Sequence, residues 1–386
     1  MKPPAPLSPP LRALCFAVLA LSLLLLGGYL YYLFSGRSHY DDFFVFWAAA
    51  GMARHAPLAA VYDPAQFQAY KLAVTGGSLA DGSLSRFPFV YPPSAMLLFA
   101  PFGRLPFGQA LIGWNLLSLA LFLGAVRHSL KTPWVVAAAL VAPATVIDLL
   151  LGQTGLLTGA IALLGFGLLR QRPLAAGVLL GLLTFKPQLA LLPIPVLFLA
   201  GQTRAGIAAV IAAAALAGAS VAVFGLDPWL AWLGALRDFS GGLSASQPHQ
   251  QYGVTAYFAL LALGLGSRAA LALQAVVSLT VLWLAARTLR RGDEPARTAA
   301  PLLGLYLATP YAAAYDLPAL AAVCLMLFLA GLRQGFRDGE LAALAAAWCL
   351  PLLLMFSPLP LGALAVAILL LLFALLLRRS AGSASA

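Results

Sequence analysis

The sequence predicts an all-α polytopic integral membrane protein, a single domain over residues 1–386 built as a bundle of about 12 transmembrane helices with two long outer loops. Three observations carry that prediction. Of the 386 residues 62% are hydrophobic and only 9% are charged, against about 45–50% and about 25% in an average soluble protein. A folded soluble surface needs roughly a quarter or more charged residues, so lipid is the solvent for most of this one. Apolar runs recur along the whole chain, about fourteen if each is counted alone. The basic residues, which give a net charge of +11, sit mostly in short connections between those runs. They lack the aromatic interleaving or basic stripe of a nucleic-acid surface and read as topology signals, which excludes nucleic acid as a partner.

The first run, 13–34, is about 22 residues long, enough for a hydrocarbon core of about 30 Å. Lys2 and Arg12 precede it, Tyr31, Tyr32 and Phe34 close it, and no small-residue cleavage site follows. It therefore reads as a retained anchor rather than a signal peptide. Residues 35–88 form the first outer loop and hold four of the twelve acidic residues. Further runs lie at 89–102, 107–126, 133–150, 154–169, 173–185, 187–200, 204–225, 252–265, 268–288, 297–313, 315–332, 340–356 and 359–377. Several are only about 14 residues, short of the about 20 a straight span needs, so some are broken, tilted or re-entrant. Where 89–102 and 252–265 both fail to cross, twelve crossings remain and both termini are cytoplasmic. Fifteen of the 23 Lys and Arg then lie inside, and eight of the 12 acidic residues lie at the opposite face. With all fourteen runs crossing, thirteen basic residues are inside. The second outer loop is 226–252, and the small-residue tail 380–386 suits a disordered end. Cys15, Cys324 and Cys349 fall in apolar runs without a CxxC pair or a nearby histidine, so neither a metal site nor a disulfide framework is expected. No internal repeat and no matching pair of interrupted helices points to an inverted-repeat transporter.

Under this topology the unusual polar residues gather at the outer face. The first loop carries Asp41 and Asp42 before Phe43-Phe44-Val45-Phe46-Trp47, then Tyr62-Asp63, then Arg86 and Tyr91-Pro92-Pro93. Asp148 and Gly152-Gln153-Thr154-Gly155 lie at the next outward turn, and Phe185-Lys186-Pro187-Gln188 at the one after. The second loop adds Arg237 and His249, and Thr309-Pro310-Tyr311 with Tyr315-Asp316 forms a last outward turn. A charge at membrane depth costs about 2.5–3.5 kcal/mol on insertion scales, which singles out Asp148, Lys186 and Asp316. Pro187 and Pro310 end or kink their helices and leave backbone groups where a polar cavity can form. Each candidate also has a plainer reading. Asp41 and Asp42 are solvated carboxylates or helix caps, and Phe43 to Trp47 is an interfacial helix lying flat on the membrane. Lys186 snorkels to the headgroups, Asp148 and Asp316 pair for structural reasons, Tyr91, Tyr311 and Tyr315 belong to an aromatic belt, and His249 is a lone loop histidine.

Asp42 to Ala49, with Tyr62-Asp63 about twenty residues on, resembles the first outer loop of glycosyltransferase family 87, a family of multi-span GT-C enzymes. Tyr91-Pro92-Pro93 with Pro101, Gly152-Gln153, Phe185-Lys186-Pro187-Gln188 and Ala308-Thr309-Pro310-Tyr311 with Tyr315-Asp316 resemble the same family, in order over residues 35–330. The resemblance implies a GT-C-like bundle in the bacterial inner (cytoplasmic) membrane. It also implies a polyprenyl-phosphate-linked hexose, typically mannose, as donor, transferred with inversion on the extracytoplasmic side to a glycolipid or glycan acceptor. Neither a metal nor another cofactor is implied. The catalytic aspartate carries over to Asp42, and Asp41 beside it is the alternative.

The residue types suit that chemistry. A sugar hydroxyl is a poor nucleophile, and a carboxylate within about 3 Å can take its proton as attack proceeds. A fixed cation stabilises the leaving phosphate, with Lys186 the first choice and Arg86 or Arg237 the second. Tyr91, Gln153, Gln188, Tyr311, Tyr315 and Asp316 would hold sugar hydroxyls or phosphate oxygens, and Asp148 and His249 complete the candidate set. The rival from another class is a transporter or lipid-carrier flippase, with the intramembrane charges lining a pathway. Within the enzyme class the rival is a ligase or polymerase using a diphosphate-linked donor.

Overall fold

The structure is a computed structural model that describes residues 8–34, 42–79, 87–243 and 251–383. Three of the site candidates, Asp41, Arg86 and His249, lie outside the described residues. The fold is all-helical, with one isolated bridge between Gly253 and Ala313 and no strand among the described residues.

The helix α1 (Pro9–Phe34) precedes the first loop, which folds into α2 (Asp42–Met52), a 3-10 turn at Leu58–Tyr62 and α3 (Pro64–Val74). Then come α4 (Pro93–Phe99), α5 (Phe107–Leu130), α6 (Trp134–Val141), α7 (Pro143–Leu151), α8 (Gly155–Leu168), α9 (Pro173–Leu182), α10 (Pro187–Ala190), α11 (Pro193–Leu199) and α12 (Thr203–Phe224). The second half holds α13 (Asp227–Leu243), α14 (Ala256–Ala262), α15 (Ser267–Arg291), α16 (Ala296–Leu307), α17 (Pro318–Gln334), α18 (Glu340–Phe356) and α19 (Gly362–Ser383). Proline opens α3, α4, α7, α9, α10, α11 and α17, because its missing N–H falls where the first turn has no acceptor anyway. The chain is thus punctuated into short pieces.

Among the described residues five helices are long and apolar enough to cross a membrane: α1, α5, α12, α15 and α19. The α6–α7 pair makes a sixth, bent by 52° where Ala142 turns extended before Pro143. The other apolar helices are shorter, and the runs at 89–102 and 252–265 yield only α4 and α14, seven residues each. At 1.5 Å per residue each is about 10 Å long, a third of a hydrocarbon core. The protein is a helical membrane protein. Its main core surrounds α16 and α17, buried along most of their lengths, while α1, α12 and α15 turn mostly outward.

A second core is built largely from the first loop. It joins α2, the Leu58–Tyr62 turn, α4, the start of α5 and Trp232 of α13. Here the structure corrects the expectation of a flat interfacial helix at Phe43 to Trp47. Nine of the eleven residues of α2 are buried, with Phe43 and Phe44 wholly enclosed by protein. A helix that is apolar on every side belongs in a core, and α2 has no polar face to offer water. The tail differs too: α19 runs on to Ser383, so residues 380–383 are helical, and 384–386 lie outside the described residues.

The far ends of α17, α18 and α19 are tied by a buried clasp. Arg379 donates through Nε to Glu340 Oε1 at 2.6 Å and through Nη1 to Gln334 Oε1 at 3.1 Å. Glu340 Oε2 also accepts from the Arg337 backbone N–H. Arg379→Ala strands a fully buried carboxylate and is expected to cost about 3–5 kcal/mol, read as a fall in Tm of the purified protein in detergent. An unchanged Tm refutes the clasp's role.

Candidate active site

The site begins where α2 meets the α7–α8 turn. Gly152 ends α7 in the left-handed region, φ 62°, and a Cβ there would lie 2.6 Å from Phe43 Cβ. Glycine therefore lets α2 dock, and the Phe43 ring stacks on Trp114 of α5 with centroids 5.9 Å apart. Trp114 Nε1 donates to the Gln153 carbonyl at 3.0 Å. With both backbones held, Gln153 Nε2 donates to Asp42 Oδ2 at 2.8 Å. Asp42 is half-buried in the first turn of α2, where the helix N-terminus favours a negative charge. Gln153 Oε1 is buried and has no hydrogen-bond partner within the protein.

Next to this pair lies a buried polar cluster. Lys186, in the break between the Leu183–Phe185 turn and α10, forms an ion pair with Asp316 and donates to Thr154 Oγ1 at 3.1 Å. Its ammonium lies 5.8 Å from the Tyr91 ring centre and 5.5 Å from that of Tyr315, within cation–π range. The Tyr91 hydroxyl shares a hydrogen bond with Thr154 Oγ1 at 2.9 Å. Asp316 Oδ2 accepts from the Ala313 N–H at 3.0 Å, and Tyr306 OH donates to the Asp316 carbonyl. The Tyr311 and Tyr315 hydroxyls are 3.3 Å apart.

These groups surround one pocket, lined by Asp42, Val45, Phe46, Phe87, Pro88, Val90, Tyr91, Gln153, Lys186, Gln188, Tyr311 and Tyr315. The first loop frames it through backbone anchors. Tyr62 OH donates to the Tyr91 carbonyl at 2.9 Å, and Lys71 Nζ donates to the Phe87 carbonyl at 2.6 Å. Burial lowers the Lys71 amine to about 8. From the other side, Val254 N–H donates to the Ala312 carbonyl and Thr255 Oγ1 to that of Pro310, joining the segment after the second loop to the Tyr311 turn.

Seven sequence candidates therefore meet at the pocket: Asp42, Tyr91, Gln153, Lys186, Gln188, Tyr311 and Tyr315. Asp316 stands behind Lys186. Asp148 does not line the pocket, because its Oδ2 accepts from the Gly155 N–H at 2.7 Å and caps the start of α8. Arg237 lies on the exposed face of α13 and is not among the lining residues. Sequence reasoning passed over Thr154, the bridge between Tyr91 and Lys186, and Trp114, which seats Gln153. The signal for Thr154 was its place between Gln153 and Gly155. Trp114-Asn115, with Asn115 Nδ2 donating to the Leu149 carbonyl, was a polar pair inside an apolar run.

The bundle of membrane helices, several opened by prolines, thus holds a polar pocket that joins a carboxylate, two amides, a lysine and three tyrosines. The chain matches the model of glycosyltransferase family 87 over residues 89–312, more than half its length, and belongs to that family. It is a membrane glycosyltransferase. No curated protein and no solved structure gives a significant match.

Two variants probe this architecture. Gly155→Ala puts a Cβ 2.0 Å from the Tyr315 carbonyl oxygen and 2.6 Å from Asp148 Oδ2, and is expected to abolish the folded, monodisperse protein on size-exclusion chromatography. For the ion pair, Lys186→Met and Asp316→Leu each leave one buried charge uncompensated, at about 3–5 kcal/mol. The double variant is expected to melt above either single one, whereas simple addition of the two losses argues against coupling.

Proposed function

We propose that the protein transfers a hexose, with mannose the first choice, from a polyprenyl-phosphate donor to an envelope glycan or glycolipid on the extracytoplasmic face of a bacterial inner membrane. Asp42 is the base and the anomeric centre inverts. The observation that carries this reading is the Asp42–Gln153 pair on the same pocket as Lys186. Asp42 is the one carboxylate lining that pocket among the described residues. Retention through a covalent intermediate uses two carboxyl groups about 5 Å apart, whereas one base suffices for a single displacement.

In that displacement the acceptor oxygen attacks C1 of the donor sugar as its proton passes to an Asp42 oxygen. The bond from C1 to the phosphate oxygen breaks, and the phosphate leaves with the electron pair. Gln153 orients Asp42 through Nε2, and its Oε1 accepts from a sugar hydroxyl. Lys186 has three N–H donors and spends two on Asp316 and Thr154, which leaves a third for a phosphate oxygen. Tyr91, Tyr311, Tyr315 and Gln188 supply the remaining donors and acceptors, and Asp316 and Asp148 act from behind the wall. Arg86, Arg237 and His249 of the outer loops, and Asp41 as alternative base, complete the proposed set.

The orientation has its own support. The helices α8 and α17 begin beside the pocket and α5 begins in the core around α2, and Arg127, Lys131, Arg170, Arg172 and Arg333 lie at their far ends. Basic ends mark the cytoplasmic side. With α4 and α14 not crossing, the remaining apolar helices count as about twelve crossings once α6–α7 and α10–α11 are each taken as one span.

The test supplies purified protein in lipid with radiolabelled polyprenyl-monophosphate and polyprenyl-diphosphate hexoses and a membrane-lipid acceptor fraction. The monophosphate donor is expected to be consumed with label appearing in acceptor. Asp42→Asn keeps an oxygen for Gln153 Nε2 yet is expected to slow transfer about 10²- to 10⁴-fold. Wild-type transfer by Asp42→Asn defeats the base assignment, and a drop in Asp41→Asn alone moves it to the neighbour. Use of only the diphosphate donor defeats the donor assignment.

A further inference from the structure

The second outer loop contains a helix whose two faces differ. On one face of α13, Trp232 Nε1 donates to the Val90 carbonyl at 3.1 Å, and the Phe239 ring lies 6.2 Å from that of Tyr311. Val90 and Tyr311 both line the pocket. The opposite face carries Leu230 and Leu233, with Leu226 just before the helix, exposed by 60%, 54% and 58%, at spacings of four and three residues that align them on one side. Isolated exposed leucines need no explanation, but a helical row of them does.

The chain leading into α13 limits what can cover that row. Helix α12 is a full membrane span of 22 residues, about 33 Å at 1.5 Å per residue. Its last turns keep an exposed apolar surface, with Val223 64% accessible. Gly225, at φ 82°, breaks the helix, and α13 starts two residues later at Asp227. The helix then packs on the Leu58–Tyr62 turn and α4, and meets α12 where Trp229 Nε1 donates to Ser220 Oγ at 3.1 Å. A helix that starts within two residues of a span's outer end begins at the bilayer surface, and its leucine row continues the apolar surface of that span.

We infer that α13 is an in-plane membrane helix, with Leu226, Leu230 and Leu233 seated in the outer leaflet and its tryptophan face holding the pocket wall. The occupant of the exposed face is the lipid bilayer itself. A helix of this kind buries its apolar side about 5–10 Å into the headgroup and acyl boundary. Arg237 extends the leucine row by one further turn, where its stem can lie along apolar surface and its guanidinium reach headgroup phosphate. Through Trp232 and Phe239 the bilayer surface then sets the height of Val90 and Tyr311, keeping the pocket level with lipid headgroups. The interfacial role expected for Phe43 to Trp47 passes to the second loop. This inference rests on the α12–α13 geometry and stands independently of donor identity and of the base.

The test is a depth measurement on the full chain. Cys15, Cys324 and Cys349 are replaced by Ala, and single cysteines are placed at Leu230, Leu233 and, on the helix flank, Asp238. Each is labelled with an environment-sensitive fluorophore in nanodiscs of phosphatidylethanolamine and phosphatidylglycerol, with and without lipids carrying a nitroxide on the acyl chain. The probes at 230 and 233 are expected to emit at shorter wavelength than the one at 238 and to be quenched by the nitroxide lipid, with 238 quenched least. Water-like emission at 230 and 233, or equal quenching at all three, overturns the proposal. Blue-shifted emission without nitroxide quenching overturns it as well, since the face is then covered by protein, whether another chain or a second copy. Melting of each labelled variant at the parent's Tm shows that the readout comes from the native fold.

Discussion

A lysine and an aspartate buried side by side at the end of a membrane bundle stabilise it only if their remaining polar groups are met, because desolvation of each charge offsets most of their attraction. Lys186 and Asp316 meet theirs from separate stretches of chain. The ammonium reaches Thr154 from the α7–α8 turn and lies against Tyr91 from the first loop, while the carboxylate takes the Ala313 N–H from the turn before α17. Removing either charge leaves the other exposed to an apolar surround, and the segments that converge on it lose their common anchor. Asp42 depends on the same arrangement at one remove, since Gln153 is the residue before Thr154.

The broken helices make this arrangement affordable in a membrane. Irregular backbone at depth is tolerated where it lines a polar cavity or finds internal partners. Here each break carries its own solution. Gly152 supplies a left-handed turn, Asp148 caps the N–H of Gly155, and Asn115 takes the Leu149 carbonyl. Proline opens α7, α10 and α17, so the first turns next to the site have fewer N–H groups to satisfy. Short helices and a polar pocket are thus one feature: helix ends must point somewhere, and in this bundle they point at the site.

Much of that was legible in the sequence, and the rest was hidden for definable reasons. The cost of a charge in an apolar run marked Asp148, Lys186 and Asp316, since composition alone fixes that cost. What each charge does was not legible. Lys186 and Asp316 are 130 residues apart and their pairing is a tertiary fact, whereas Asp148 looked like a pocket residue although its partner is the N–H seven residues on. The aromatic density of Phe43 to Trp47 suggested an interface, yet an absence of any polar face marks a buried helix. Conversely, the leucine row of α13 was masked because Asp227, Arg237 and Asp238 made the stretch read as loop. Length was legible where it mattered, for the short runs at 89–102 and 252–265, read as failing to cross, resolve into helices of seven residues each.

A base able to take a proton from a sugar hydroxyl can also take one from water, so a transferase must keep water out until the acceptor arrives. Val45, Phe46, Phe87, Pro88 and Val90 give this pocket an apolar wall that offers water few partners. The wall is held from behind by Trp232 on Val90 and Lys71 on Phe87, contacts that belong to the two long loops rather than to the spanning helices. Under the proposed function the sugar donor then enters with its lipid chain still in the bilayer. Selectivity against hydrolysis would lie in the loops that shape the wall, and the membrane span would serve mainly to hold Asp42, Gln153 and Lys186 at a fixed depth against which those loops can close.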